Sequence, residues 1–475
     1  NNIVLGSKIK LYMNFFKQIS VFLTIFVLLG FYACSSSDGV SQEGDVWFIE
    51  NSHLKITIQP TGVLNVYDKK GNREWRQVAS KDKKIENVHE VSTTDKWAIA
   101  FETEVNNYPF LVKLSLPKAS ADLEIEADME NHDTPIEDIP FFDPFLLDSE
   151  HCSIAVADFC NGHLYPADLH PFPYKRYTTA LLDMPWIGVC DAKEGHGYEI
   201  ILDTSDDAFF DMIPVKVGMR EIVLPKAGWI SSKKRFGYAR RLLCHFVSDG
   251  GYVALAKYYR TYAQNRGLIV PFSEKVKKNP NLTRLFGAVD VWGQQSVEFA
   301  KEAKKAGVEK MIMNGNSTPE ELKSINELGY LTSCYDAYQD VFQVEANGKI
   351  DSGHEYLPDN IVLKDDSTRM LAWCTWDGHQ SMKRCPVFWE RTAKLVIPEV
   401  LSKYPFLCRF IDVTTAEDLY ECYDERHPLT RAKKRELGVR LFDYIRSQGL
   451  VVGGEHGRWW AVPVIDYVEG MMSGG

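Results

Sequence analysis

The segments FLCRFIDVTT (406–415), RAKKRELGVRLFDYIRSQG (431–449) and LVVGGEHG (450–457) follow one another as strand, helix and strand, and both strands are apolar runs that end in polar residues. That is one parallel βαβ unit, and reading outward from it finds more of the same. Upstream lie the strand LFGAVDVWG (285–293), the helix SVEFAKEAKKAG (296–307) closed by Gly307, and the strand KMIMNGNS (310–317). Ser317-Thr318-Pro319-Glu320 opens a helix that ends at Gly329, the strand LTSCYDAYQ (331–339) follows, and a longer insertion precedes the helix VFWERTAKLVIPEVLSKY (387–404). Repeated βα units with polar residues at the strand ends are the pattern of a TIM-type (β/α)8 barrel. The count reaches about six strands when VIDYVEG (464–470) is included. A closed barrel needs eight strands in roughly 250 residues, and 191 residues run from Leu285 to Gly475. The barrel is therefore expected to be truncated at its C-terminal end, and the chain as written to fold poorly because an unclosed barrel leaves strand edges exposed.

From Val46 to about Trp229 the signal is β throughout. LKITIQP (54–60) alternates apolar and polar residues, GVLNVYDKKGNREW (62–75) reads as a hairpin around Lys69-Lys70-Gly71-Asn72, and WAIAFETEV (97–105), FLVKLSLP (110–117), ADLEIEADME (121–130), GYEIILDT (197–204) and EIVLPKAGWI (221–230) continue it. Short strands with turns at regular intervals point to a β-sandwich, supersandwich-like in size. GYVALAKYYRTYAQNRG (251–267) then changes to a helical period. The expected organisation is a β-sandwich over 35–250, a helical connector over 251–281 and the incomplete barrel over 282–475.

The N-terminus has its own layout. Residues 13–34, MNFFKQISVFLTIFVLLGFYAC, place Lys17 before an apolar run from Ile19 to Tyr32 and finish on Ala33-Cys34, followed by Ser35-Ser36-Ser37-Asp38-Gly39. The run is short for a membrane span, which needs about 20 residues, and it matches a signal peptide with a bacterial lipoprotein cleavage box. Cys34 is then the lipid-attachment residue, residues 1–12 are upstream translation, and the mature protein is lipid-anchored in the bacterial cell envelope, periplasmic or on the surface. An ordinary secretory signal with an incidental cysteine is the alternative. Nine cysteines remain, scattered and without a CxxC pair, which argues against a disulfide scaffold and a zinc ribbon. Cys152 and Cys160 are close enough in sequence to pair, but spacing alone does not establish it.

The 475 residues carry a formal net charge of −11 and are 45% hydrophobic, a globular profile with material for a large core. An acidic chain without a basic stripe is a poor binder of nucleic acid, and the membrane is expected as a partner only through the lipid anchor. There is no phosphate loop, GxSxG or zinc motif.

Chemistry enters at the strand ends, where polar residues of a TIM-type barrel face the active site. Asp290 follows FGAV, Asp412 follows CRFI, and Glu455 follows VVGG. Asp412 and Glu455 fall on successive βα units. Neighbouring strands are about 4.8 Å apart, which brings two such carboxylates near the roughly 5–5.5 Å of a retaining glycosidase pair. Gly453 and Gly454 allow a ligand to approach closely, and His456 is placed to tune the pKa of Glu455. A carboxylate at a strand end can also simply cap the next helix.

The FIDVTTAED and GGEHG segments, their spacing, and MPWIGVCD (184–191) resemble glycoside hydrolase family 129 and, more distantly, family 101. The resemblance implies a large β-sandwich before a TIM-type barrel and a retaining α-N-acetylgalactosaminidase acting on mucin-type O-glycans. It implies Asp412 as nucleophile and Glu455 as general acid/base. Family 101 members are longer and endo-acting, and the compact layout here is more like the exo-acting family 129. Asp290, Trp292, Asp336, Trp376, Asp377, His379, His456 and Trp459 are the expected substrate-binding residues. The aromatic ones, with Tyr335, Tyr338, Trp373 and Trp460, offer faces for a sugar, although most aromatics in such a chain are core. Asp336, Asp377 and His379 are placed to bond hydroxyls, and Asp377-x-His379 is a poor metal pair. No metal or cofactor is required; the family leaves room for a calcium ion held by carboxylates, but no loop has the spacing to assign it. The other readings are a retaining α-galactosidase, an endo-acting α-N-acetylgalactosaminidase, and a surface lipoprotein that binds glycans without cutting them.

Overall fold

The computed structural model describes residues 38–78, 83–158, 161–179, 181–342, 358–374, 378 and 380–470. Cys34, Cys160, Trp376, Asp377 and His379 lie outside them, as does the whole segment 13–34. No helix among the described residues is long and apolar enough to cross a membrane.

Between Gly39 and Val247 the described chain forms three antiparallel sheets of five, nine and four strands. The first is a meander, and its strand Leu54–Ile58 shows the rule that builds it. Leu54, Ile56 and Ile58 are buried while Lys55 and Thr57 are only half-buried, because a strand's side chains alternate between faces. Asp68 and Arg73 face each other across the turn anticipated at Lys69–Asn72. One hydrophobic core joins the sheets: Ile56 and Trp75 from the meander, Val112 and Ile200 from the nine-stranded sheet, and Phe210 and Leu224 from the four-stranded one. Cys152 is a buried free thiol in this region. Helix α1 (Gly251–Asn265) covers one side of the nine-stranded sheet, with Leu255 and Tyr259 against Trp186 and Ile201. A short helix, α2 (Phe272–Lys278), follows.

The second half is a six-stranded parallel sheet whose spatial order is its sequence order: β1 (Val289–Trp292), β2 (Met311–Asn314), β3 (Leu331–Asp336), β4 (Cys408–Ile411), β5 (Val451–Gly454) and β6 (Tyr467–Val468). Strands β2, β4 and β5 are buried at every position, as parallel strands covered on both faces must be. Helices α3 (Val297–Lys305), α4 (Pro319–Glu327), α5 (Trp389–Lys403) and α6 (Arg431–Ser447) make the crossovers. Their starts are written locally. Ser296 accepts from the Phe299 N–H, Thr318 and Glu321 form a capping box with Pro319 at the first turn, and Thr430 accepts from the Lys433 N–H. Gly329 and Gly449 take φ of 96° and 80° just past α4 and α6, a conformation that stops a helix and suits glycine. The insertion between β3 and α5 builds a small antiparallel sheet from Asp340–Phe342, Leu371–Cys374 and Gln380–Lys383. The observed strands are shorter than the apolar runs that announce them: 285–293 supplies only Val289–Trp292, after a 3₁₀ turn at Pro280–Leu285, and 464–470 only Tyr467–Val468.

Candidate active site

The carboxyl ends of the parallel strands gather four carboxylates. Asp290 is in β1, Asp412 directly follows β4, Glu455 directly follows β5, and Glu469 follows β6. Pairing of Ile411 with Gly454 across β4 and β5 sets the next residues, Asp412 and Glu455, side by side. Three further contacts fix them. The Asp412 N–H donates to the Asp336 carbonyl at 2.9 Å, the Tyr335 hydroxyl donates to Asp412 Oδ2, and the Val413 N–H donates to Glu455 Oε2 at 3.1 Å. Val413 makes that last bond from φ 61°, a left-handed conformation that is an outlier for a β-branched residue and costs of order 1–3 kcal/mol. Such strain concentrates at functional sites, and here it sits between the two carboxylates.

Burial, then the neighbouring Asp412 charge, pushes the Glu455 carboxyl up to about 7, against a weaker opposing pull from the Val413 N–H. The Asp412 carboxyl is near enough to share a hydrogen bond with Glu455. Glu469 is also raised, by burial first and then by the charges of Asp290 and Asp412. Asp290 is raised by burial, against a 2.6 Å hydrogen bond from Asn314 Nδ2. The Trp292 side chain lies near enough to Asp290 and Glu469 to favour their charged forms, and its indole stands edge-on to Phe410 with ring centroids 5.0 Å apart. Trp292, Tyr335 and Trp373 are exposed aromatics, and the Trp373 N–H donates to Asp340, whose charge reaches Asp412. The constellation is thus two apposed carboxyls, one of them protonated near neutrality, under an aromatic rim.

Three of the expected substrate-binding residues stand elsewhere. Asp336 does not face a ligand: its carboxylate is buried and bonded to Arg409 Nε at 2.8 Å, and Tyr335, one position earlier on the same strand, reaches Asp412 instead. His456 is 3% exposed and its Nε2 lies 2.6 Å from Asp183 in the antiparallel half, so it touches neither Glu455 nor solvent. Trp459 lies against α6 under the Arg435 guanidinium, its N–H bonded to the Asp183 carbonyl. Tyr338 and Trp460 are core. Glu469 was not anticipated; its position directly after the short apolar pair Tyr467-Val468 is the one sequence signal for it.

Among the described residues, two groups of three donors converge closely enough to hold a metal ion: Cys385, Cys422 and His427, and Asp191, Glu194 and His196. Neither includes Asp412 or Glu455. In the second, Asp191 already caps its own turn, accepting from Ser149 and from the N–H groups of Lys193 and Glu194.

Residues 303–475 match the family model for glycosyl hydrolases related to the GH101 family, GH129. No curated protein sequence matches the chain. Among solved structures, the chain is similar to ligand-free α-N-acetylgalactosaminidase NagBb from Bifidobacterium bifidum, with TM-score 0.71 and 17% identity over 88% of this chain and 79% of that one. The GalNAc complex of the same protein gives TM-score 0.72 and 16% identity over 88% and 78%. At that identity the likeness speaks for the fold alone.

Proposed function

From a chain whose residues 303–475 match the family model for glycosyl hydrolases related to the GH101 family, GH129, we propose a retaining, exo-acting α-N-acetylgalactosaminidase that releases α-linked N-acetylgalactosamine from Ser or Thr of mucin-type O-glycans. One observation carries the mechanism: Asp412 and Glu455 stand side by side at the ends of paired parallel strands, where burial and the Asp412 charge push the Glu455 carboxyl up to about 7. Inverting enzymes need about 6.5–9.5 Å between the carboxyls to admit a water, whereas retaining pairs stand at about 5–5.5 Å. Asp412, oriented by the Tyr335 hydroxyl, attacks the anomeric carbon while Glu455 gives its proton to the departing Ser or Thr oxygen. Glu455, now ionised, takes a proton from water that hydrolyses the glycosyl-enzyme, and two inversions restore the α configuration. Trp292 and Tyr335 offer apolar faces to the sugar, and Asp290 and Glu469 offer acceptors to its hydroxyls. The proposed architecture joins a supersandwich-like antiparallel module to the strands of a TIM-type barrel. The proposed location is the cell envelope, through lipid on Cys34.

The reading is tested with p-nitrophenyl α-N-acetylgalactosaminide and the corresponding α-galactoside. Wild type should release p-nitrophenol from the first, with the α-anomer appearing first by proton NMR, and Asp412→Asn and Glu455→Gln should lose at least about 100-fold. Release from the galactoside alone would reassign the sugar. A fully active Asp412→Asn would remove the nucleophile from this account.

A further inference from the structure

Away from the carboxylates, the insertion after β3 and the segment after β4 meet at three soft donors. Cys385 lies at the end of the insertion, just ahead of α5; Cys422 and His427 belong to the turn that Cys422 and Leu429 close with backbone hydrogen bonds of 2.9 and 3.1 Å. All three side chains are buried, and both sulfurs and an imidazole nitrogen lie within 4.8 Å of one another.

Their surroundings orient them as ligands. His427 Nε2 is 2.8 Å from the Asp359 carbonyl, an acceptor that carries no hydrogen, so Nε2 holds the ring proton. Nδ1 is left with its lone pair directed at Cys422 Sγ, 3.4 Å away. The Leu363 N–H donates to that same sulfur at 3.4 Å. An imidazole whose far nitrogen donates to a carbonyl is the outer-shell arrangement of metal-bound histidine. With zinc–sulfur and zinc–nitrogen bonds of about 2.3 and 2.05 Å at a tetrahedral angle, ligand sulfur and nitrogen stand about 3.5 Å apart. The observed separation already matches.

We propose that Cys385, Cys422 and His427 bind a thiophilic closed-shell cation, zinc(II), as two thiolates and one neutral imidazole, with a fourth position open to a small exogenous ligand. Binding releases the two thiol protons to solvent, and no electron changes hands. The Asp424 carboxylate is not the fourth ligand: it lies on the Nε2 side of the ring, 3.4 Å away, and is paired with Arg426. The metal ties the insertion to the segment that begins at Asp412, ten residues before Cys422. This site is separate from the glycosidase chemistry, and the sequence hides it because no two of its ligands form a CxxC or HxxxH spacing.

The test uses the full chain, reduced, stripped with chelator and titrated with cobalt(II) or cadmium(II). One equivalent should bind per chain with thiolate-to-metal charge-transfer absorption. Cys385→Ser and Cys422→Ser should each abolish that band, while Cys374→Ser, at an exposed thiol of the insertion, should keep it. X-ray absorption of zinc-loaded wild type needs no variant to fold and should show two sulfurs near about 2.3 Å and nitrogen near about 2.0 Å. Absence of the band in folded, reduced wild type would overturn the proposal, as would an oxygen-only shell or a Cys385–Cys422 disulfide in protein purified without reductant. Plain S–H hydrogen bonding to Nδ1 and to the His427 carbonyl would then describe the cluster.

Discussion

At the residue scale, Glu455 is where environment overrides composition. Its folded pKa of about 7 lies above the ordinary glutamate value. In its proposed role of general acid it must be protonated, so kcat/KM should fall as pH rises through about 7, and a pH–rate profile reads this directly. Stability follows the same proton. The folded chain binds it more tightly than the unfolded chain, so stability drops between pH 4.5 and 7 and levels off above. Glu455→Gln cannot ionise, so its Tm should gain on wild type across that window and hold the gain at pH 8. Tyr335 is the second residue of consequence: Tyr335→Phe removes a charge-assisted hydrogen bond to Asp412, worth about 1.5–3 kcal/mol. Its kcat should fall about 10- to 100-fold; an unchanged kcat would mean the hydroxyl does not orient Asp412 for the proposed attack.

At the element scale, the strands were easier to find than to orient. The apolar runs and their polar ends located β3, β4 and β5, because buried parallel strands demand such runs. They did not say which of two adjacent residues at a strand end points outward. Tyr335 and Asp336 differ by one position and lie one exposed, one buried, and an apolar run that is buried on both sides carries no alternation to decide between them. The same ambiguity misplaced His456, whose neighbour Glu455 takes the open side. Trp459 was misread for another reason: the turn after β5 bends back against α6, and nothing short of tertiary structure shows that. The glycine pair was read as room for a ligand, yet a methyl on Gly453 would collide with the Tyr467 ring and one on Gly454 would stand 2.5 Å from Ile465 Cδ1. These glycines let β6 close on β5. Gly453→Ala should therefore cost about 1–3 kcal/mol by overpacking, seen as a fall of several degrees in Tm.

At the scale of the whole molecule, the antiparallel half holds the catalytic half by charge. Asp183 meets His456 and Arg458, which also bonds the Thr415 and Ala416 carbonyls beside the pair. Asp206 receives Arg435 of α6 through two hydrogen bonds of 2.7 and 3.0 Å. Asp207, fully buried, is shared by Arg240, Arg431 and Tyr238. Lys233 caps the other side, its N–H on Glu421 and its ammonium over the Tyr423 ring at 3.6 Å. Removing one member of a buried ionic group strands the others, at about 3–5 kcal/mol. Asp207→Ala should lower the urea midpoint accordingly, and a loss below about 1 kcal/mol would show the two halves to be merely adjacent. The pairs that cross between the halves were not readable beforehand, since they join residues from 188 to 275 positions apart.

That long-range pairing also constrains how the chain can be rebuilt. The anchors for the turn after Glu455 and for helix α6 are Asp183, Asp206 and Asp207, which belong to the other half. A chimera that takes its N-terminal half from a distant relative must carry matching acids at those three places, and one that does not should lose the active-site geometry before it loses either fold. Each half is the template against which the other is cut.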